Sequence, residues 1–411
     1  MTVAARQADK GSDRLARFRG LRARLDPTGD PGRALANGLY VEPARSVSSR
    51  IAAELMLSPT STHLLSGGVG SGKTTELLSV QLRLNEVTDT RAFYIDTSRD
   101  RDPGKMPPGA LVVQAGLAFG EELVKSAPPG DERSAVEQEL RELRNVAFGY
   151  HEYYEVLEQE RDDPRFVRVP GILEPHDRLE TTLSEALRVT RPLLEPLRAR
   201  WKHPLVLLDG LDRMTDMGSF EQLVEHDLRT LTSLGVGIVL VGPLKALYGI
   251  DRALIQRFDQ FHYQPWIDPV SGPEAGAFLA NVLQRRVPDD ALDREGREHL
   301  VLSSGGVLRD LLSLAQSACV ESYMDGSDVM GRQQVESAAD SFGRKHMQGL
   351  RPAEIEVLQR VLAKGSFVQT SEEDLALLMT RRVLEYRSNG RPRFAVHPTI
   401  APFLREMADA G

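Results

Sequence analysis

Residues Gly67-Gly68-Val69-Gly70-Ser71-Gly72-Lys73-Thr74-Thr75 satisfy the pattern G-x-x-x-x-G-K-[ST]. Glycines at this density let successive backbone N–H groups turn toward a single anion. A helix starting at the end of such a loop adds its positive N-terminal pole. The Lys73 ammonium can reach the outer phosphates of a nucleotide, and the Thr74 hydroxyl can ligate Mg²⁺. The flanks fit. The apolar run His63-Leu64-Leu65-Ser66 precedes the loop as a strand, and Glu76-Leu77-Leu78 continues it as a helix.

Such a loop needs an acid on another strand to organise the metal. His203-Pro204-Leu205-Val206-Leu207-Leu208-Asp209 supplies one. Four apolar residues end at Asp209, which places its carboxylate at the C-terminal edge of a buried strand, where open α/β sheets bind ligands. Asp209 is expected to hold Mg²⁺ through water.

The elements that must position these residues follow from the pattern. Short apolar runs at 63–66, 92–95, 205–208 and 237–241 alternate with helical stretches, as in a parallel sheet covered on both faces. Residues 1–36 form a basic tail. Residues 37–266 form the core, with an acidic helical insertion at about 120–200. Residues 267–350 are helical. Residues 351–411 combine helices with a hairpin signal at Asn389-Gly390. In the tail, Arg14, Arg17, Arg19, Arg22 and Arg24 interleave with Leu15, Phe18, Leu21 and Leu25. That pattern suits a frayed or packing helix, or one touching an anionic surface or a partner. The glutamates of the insertion read as solvated helix faces or as a docking surface.

The 411 residues are 41% hydrophobic with a net charge of −8, which excludes wholesale disorder and a wholly basic nucleic-acid coat. One cysteine, Cys319, excludes an internal disulfide and a cysteine-based zinc site. No apolar run approaches the roughly 20 residues of a membrane span, so a cytoplasmic protein is expected. The nine histidines show no metal-ligand spacing, and H-E-x-x-H, G-x-S-x-G and C-x-x-C are absent.

The phosphate loop and the strand ending at Asp209 resemble those of the additional-strand P-loop ATPases. Within that group the chain looks like the branch holding the Orc/Cdc6-type AAA+ proteins and the STAND ATPases, over about Leu39 to Leu404. Asp209-Gly210-Leu211-Asp212 is similar to an acid-x-x-acid Walker B variant. Gly305-Gly306-Val307-Leu308-Arg309-Asp310-Leu311-Leu312 resembles the lid segment whose arginine senses the γ-phosphate, and Arg309 takes that position. The resemblance implies an α/β P-loop core of five strands, a helical lid and a C-terminal winged helix, with ATP and Mg²⁺ as ligands. It also implies that Tyr40, before the first core strand, can stack on adenine. Arg257, with Arg252 as rival, stands where relatives carry an arginine for a neighbouring subunit's nucleotide.

The departures from the family pattern bear on rate. Hydrolysing relatives often carry glutamate directly after the Walker B aspartate; here Gly210 stands there. Asp212 can substitute as the group that polarises water, although Arg213 follows it. The fourth run ends Val241-Gly242-Pro243, without a polar sensor. Tight ATP/Mg²⁺ binding with slow ATPase turnover is therefore expected.

At the C-terminus, Arg387, Arg391 and Arg393 on the hairpin could meet a phosphate backbone. The competing STAND-type reading has the winged helix close on the nucleotide, with His397-Pro398 sensing it. Three functional readings follow. One is an ATP-dependent switch coupled to homo-oligomerisation or partner engagement, of the kind used in bacterial signalling or phage defence. Another is a DNA-binding Orc/Cdc6-like or transposition-type AAA+ ATPase. The third is a nucleotide-bound scaffold whose insertion docks an effector.

Overall fold

A computed structural model describes the chain apart from residues 1–2, 44–45, 99–101, 149–182, 249–253, 370, 389–390 and 410–411; the side chains of 3–11, 147–148, 388 and 391 are likewise outside the description. Much of the acidic insertion, Arg252, the Asn389-Gly390 turn and the Arg391 side chain thus lie outside the described residues. The chain divides into two compact units: Val47–Ser66 with Glu76–Tyr263, and Met1–Ser46 with Gly67–Thr75 and Gln264–Gly411.

The first unit is built on a five-stranded sheet. Its strands are β1 (Thr62–Gly67), β2 (Thr90–Asp96), β3 (His203–Asp209), β4 (Gly237–Val241) and β5 (Gln260–Gln264), in the order β2-β3-β4-β1-β5. The β1–β4, β3–β4 and β2–β3 pairs are parallel. β4 is buried throughout and β3 nearly so, which explains their unbroken apolar runs. β5 alternates polar and aromatic residues, Gln260-Phe261-His262-Tyr263-Gln264, as suits a strand at the sheet's edge. The absence of an apolar run left it unlocated in the sequence.

Two apolar layers cover the sheet. On one face, α3 (Val47–Leu57) contributes Ile51 and Leu55. With Leu77, Val80 and Leu84 they pack on Leu65, Leu205, Leu207 and Val239. On the other, α5 (Ala110–Ser126), α6 (Asp131–Phe148) and α7 (Leu183–Arg200) surround Leu64, Val206, Leu208 and Leu240. Asp227 anchors α5: its buried carboxylate accepts the N–H groups of Gly109, Leu111 and Val112 at 2.8, 2.8 and 3.2 Å. Three otherwise orphan donors at the helix start are thereby satisfied.

The second unit holds the phosphate loop, from which α4 (Lys73–Asn85) departs, and a bundle of α10 (Pro273–Gln284), α11 (Arg294–Ser303), α12 (Leu308–Met324) and α13 (Arg332–Met347). Following these come α14 (Pro352–Lys364), α15 (Glu372–Met379), the antiparallel hairpin β6 (Val383–Ser388) and β7 (Arg391–Val396), and α16 (Ala401–Asp409). The basic tail is the helix α1 (Val3–Arg24), and it packs on this bundle. Phe18, Leu21 and Leu25 join a core with Leu283, Leu311 and Leu314. Arg14 bonds Asp328 at 2.9 Å and three backbone carbonyls, those of Ser322, Tyr323 and Ser327. Arg14, Arg17 and Arg24 and the apolar residues are therefore partnered within the chain, and the helix needs no anionic surface to cover its apolar side.

Candidate nucleotide-binding site

The loop's glycines are required by its surroundings. A Cβ on Gly67 would stand 2.3 Å from the Gln264 carbonyl oxygen, and one on Gly68 would lie 2.0 Å from the Trp266 ring. Gly70 and Gly72 have φ of 79° and 97°, in the left-handed region that other residues avoid. Trp266 is buried and donates Nε1–H to the Val69 carbonyl at 3.1 Å. Composition alone gave no reason to assign this tryptophan to the site. The only hint in the sequence is that it is one of two in the chain.

Lys73 is buried and its ammonium donates to the Gly67 and Gly68 carbonyls at 3.0 and 3.1 Å. It spans the loop it is expected to serve. Thr74 and Thr75 are half-buried in the first turn of α4. The Ser71 hydroxyl is buried with no hydrogen-bond partner among the described residues. A buried orphan donor beside a glycine-rich turn fits an anionic group as its missing partner. The loop therefore fits the phosphates of a nucleotide.

Arg309 stands directly over this loop. Its Cβ is 2.8 Å from the place a Gly70 Cβ would take, and its N–H faces the Gly70 oxygen at 3.4 Å. Arg309 is exposed, in the first turn of α12. The next residue, Asp310, is almost fully buried. It accepts from Arg381 Nε at 2.8 Å and lies 3.5 Å from His397 Nε2. Burial alone would raise the Asp310 pKa, but the His397 hydrogen bond and the Arg381 charge outweigh it and bring it below the usual value. His397 is thus packed on the lid helix one residue from Arg309, and its Nδ1 pairs with Thr399 Oγ1 at 2.8 Å. Tyr40, half-buried, follows a segment pinned to α10 by Arg286 Nη1 donating to the Leu39 carbonyl at 2.9 Å.

In the sheet unit, Asp209 ends β3 and is buried. Tyr94 Oη donates to its Oδ2 at 3.0 Å and the Gly210 N–H to its Oδ1 at 2.8 Å. Gly210 has φ of 91°, and a Cβ there would meet Ser98 at 2.9 Å. The backbone itself bars a glutamate from that position. Asp212 follows, half-buried, in a single turn, Leu211–Arg213. A Cβ on Gly242 would lie 2.6 Å from Leu64 Cδ1, so a side chain there would have to displace Leu64. β4 separates β3 from β1, the strand that leads into the phosphate loop.

The sheet is the additional-strand form of the P-loop NTPase fold. No family model and no curated protein matches the sequence. Solved structures are similar over most of the chain. Aeropyrum pernix Orc1 in complex with DNA has 17% identity and a TM-score of 0.43, covering 90% of this chain and 95% of its own. The Thermotoga maritima RuvB Holliday junction branch migration motor has 11% and 0.41, covering 89% and 98%. Pyrobaculum aerophilum Cdc6p has 12% and 0.40, covering 90% and 96%. The chain's own phosphate loop and strand order carry the P-loop fold.

The remaining described arginine candidates each have another partner within their own unit. Arg257 is exposed and bonds Glu225 Oε1 at 2.9 Å. Arg387 bonds Glu385 Oε1 at 2.9 Å. Arg393 donates to Asp268 Oδ2 at 2.8 Å and lies over the Tyr386 ring at 4.5 Å. Tyr386 in turn donates to the Gly305 carbonyl at 2.7 Å, and burial raises its pKa. Arg393 thus ties the hairpin to Asp268, while Arg387 pairs within the hairpin. Among the described residues, no helix is long and apolar enough to cross a membrane.

Proposed function

We propose that the protein is an ATP-binding, slowly hydrolysing AAA+/STAND-like molecular switch. The observation that carries this is the packing of Arg309 and the start of α12 on Gly70. A loop that fits phosphates is in direct contact with the lid helix, so filling it acts on the helix without an intermediary. Asp310 passes that helix on to Arg381 and His397 in the C-terminal region. The fold can therefore register nucleotide state over its lid and terminal module, read here as a winged helix. Oligomerisation or engagement of an effector, in a signalling or phage-defence setting, would be the output.

In this reading the loop N–H groups, Ser71 and Lys73 hold the phosphates, Thr74 ligates Mg²⁺, and Asp209 orients a water on the metal. Bound Mg²⁺ would neutralise charge on the phosphates. Arg309 adds a cation at the γ-phosphate, and Arg257 is the candidate for a neighbouring subunit. Slow turnover follows from Gly210, since the position that carries glutamate in fast relatives cannot hold one.

The test is size-exclusion chromatography and limited proteolysis with ADP, ATP and a slowly hydrolysed analogue. The lid or assembly state should change with ATP but not in Lys73→Ala, whose affinity should fall at least tenfold. ATP binding with no change in shape, assembly or protection would refute the switch.

A further inference from the structure

Glu54 of α3, His63 of β1 and His262 of β5 converge on one point in the sheet unit. His63 Nδ1 lies 3.0 Å from His262 Nε2; Glu54 Oε2 lies 3.3 Å from His262 Nε2 and 3.7 Å from His63 Nδ1. Both imidazoles are buried, and their planes are nearly parallel, 7° apart.

The hydrogen bonds around the cluster orient its donor atoms. Ser61 Oγ donates its one hydrogen to the Ser58 carbonyl at 2.6 Å, so toward His63 Nε2, at 2.8 Å, it can only accept. Neutral His63 therefore carries its proton on Nε2 and turns a lone pair on Nδ1 into the cluster. Arg50 Nε holds the other Glu54 oxygen, Oε1, at 2.9 Å. This leaves Glu54 Oε2 buried with no hydrogen-bond partner among the described residues, within 3.3 and 3.7 Å of the two rings.

We propose that Glu54, His63 and His262 bind a divalent transition-metal ion of the zinc type. Two nitrogens and one carboxylate oxygen form a donor set for zinc, whereas Mg²⁺ and Ca²⁺ prefer oxygen alone. With metal–ligand bonds of about 2.1 Å, one ion can bond all three atoms once the rings turn from the head-on N···N arrangement they hold here. The Ser61 contact to His63 is the outer partner that ligating histidines usually have. Three protein ligands leave the fourth position of a tetrahedral site to water. The ion would staple edge strand β5 to β1 and to α3. His63 is the second residue of β1, at the end of the strand away from the phosphate loop, so the role is structural.

The test uses untagged full-length protein, stripped with a chelator and held in excess Mg²⁺ so that zinc does not occupy a nucleotide-linked Mg²⁺ position. One zinc ion per chain should survive gel filtration, and equimolar zinc should raise Tm by several degrees. Co²⁺ in its place should show the strong visible absorption of a tetrahedral site. Glu54→Gln, at a partly exposed helix position, should keep its circular dichroism and ATP binding while zinc affinity drops about a hundredfold or more; His262→Gln should behave alike. Protein that takes up no zinc, or that retains one ion per chain in Glu54→Gln, overturns the proposal.

Discussion

The Trp266 indole donates to the Val69 carbonyl at 3.1 Å while its ring fills the space beside Gly68. One side chain thus both hydrogen-bonds and packs the phosphate loop. Trp266→Phe keeps most of the packing and loses the hydrogen bond, which should weaken nucleotide binding by about 1 kcal/mol, a factor of about five. Trp266→Ala opens a cavity and should cost about 3–5 kcal/mol of stability. Calorimetric titration with ATP and denaturant unfolding measure the two. An unchanged affinity in both variants would separate Trp266 from the site.

Restoring the family's glutamate should not restore fast hydrolysis. Gly210→Glu forces a side chain into left-handed backbone, at roughly 1–2 kcal/mol, and against Ser98. We expect a lower Tm and no gain in ATPase rate. A stable, faster Gly210→Glu variant would contradict the account of slow turnover. Asp212→Ala should reduce the residual rate.

Asp310 and Arg381 should be strongly coupled. Removing the carboxylate in Asp310→Ala strands a largely buried guanidinium, and such truncations cost about 3–5 kcal/mol. The double variant with Arg381→Met should recover part of that loss. A double-mutant cycle read by urea unfolding gives the coupling; simple additivity would show the contact to be idle.

His346 should impose a pH dependence on stability. Burial, aided by the nearby His397, lowers its pKa to about 4. The unfolded chain has the ordinary value of about 6.5. Between these values the unfolded state holds the extra proton, so stability rises with pH and is lost as pH falls from about 6.5 toward 4. His346→Phe should remove up to about 1.4 kcal/mol per pH unit from the slope in that window. Denaturant titrations from pH 4 to 7 test this, and identical slopes would refute it.

The hairpin arginines should act on stability before they act on DNA. Arg393→Glu sets a carboxylate against Asp268 and removes the cation from Tyr386, so Tm should fall by several degrees. Arg387→Glu faces Glu385 in the same way. Fluorescence anisotropy with a labelled duplex over a salt series tests nucleic-acid binding. Tight, steeply salt-dependent binding lost in folded Arg387→Glu protein would favour the DNA-binding reading.

The chemistry most legible in the sequence was local. The phosphate loop is nine consecutive residues, and its glycines, lysine and threonine declare their use without a partner elsewhere. Asp209 was readable because a buried strand of parallel sheet is an apolar run with a visible end. β5 was not, because an edge strand carries alternating polar residues that resemble loop. Trp266 became a site residue only when its ring met Gly68, and Gly210's exclusion of glutamate needed Ser98 on a different element. Likewise, arginines that looked free on the hairpin are ion-paired once Asp268 and Glu385 are in place.

The sharpest case is the pair His63 and His262, 199 residues apart. The sequence by itself determined the nucleotide-loop chemistry and the α/β class, because contiguous motifs and hydrophobic period are encoded residue by residue. Tertiary structure alone decided the Glu54–His63–His262 cluster. Strand order sets which ring nitrogens face one another, and no local spacing records which distant strand becomes a neighbour.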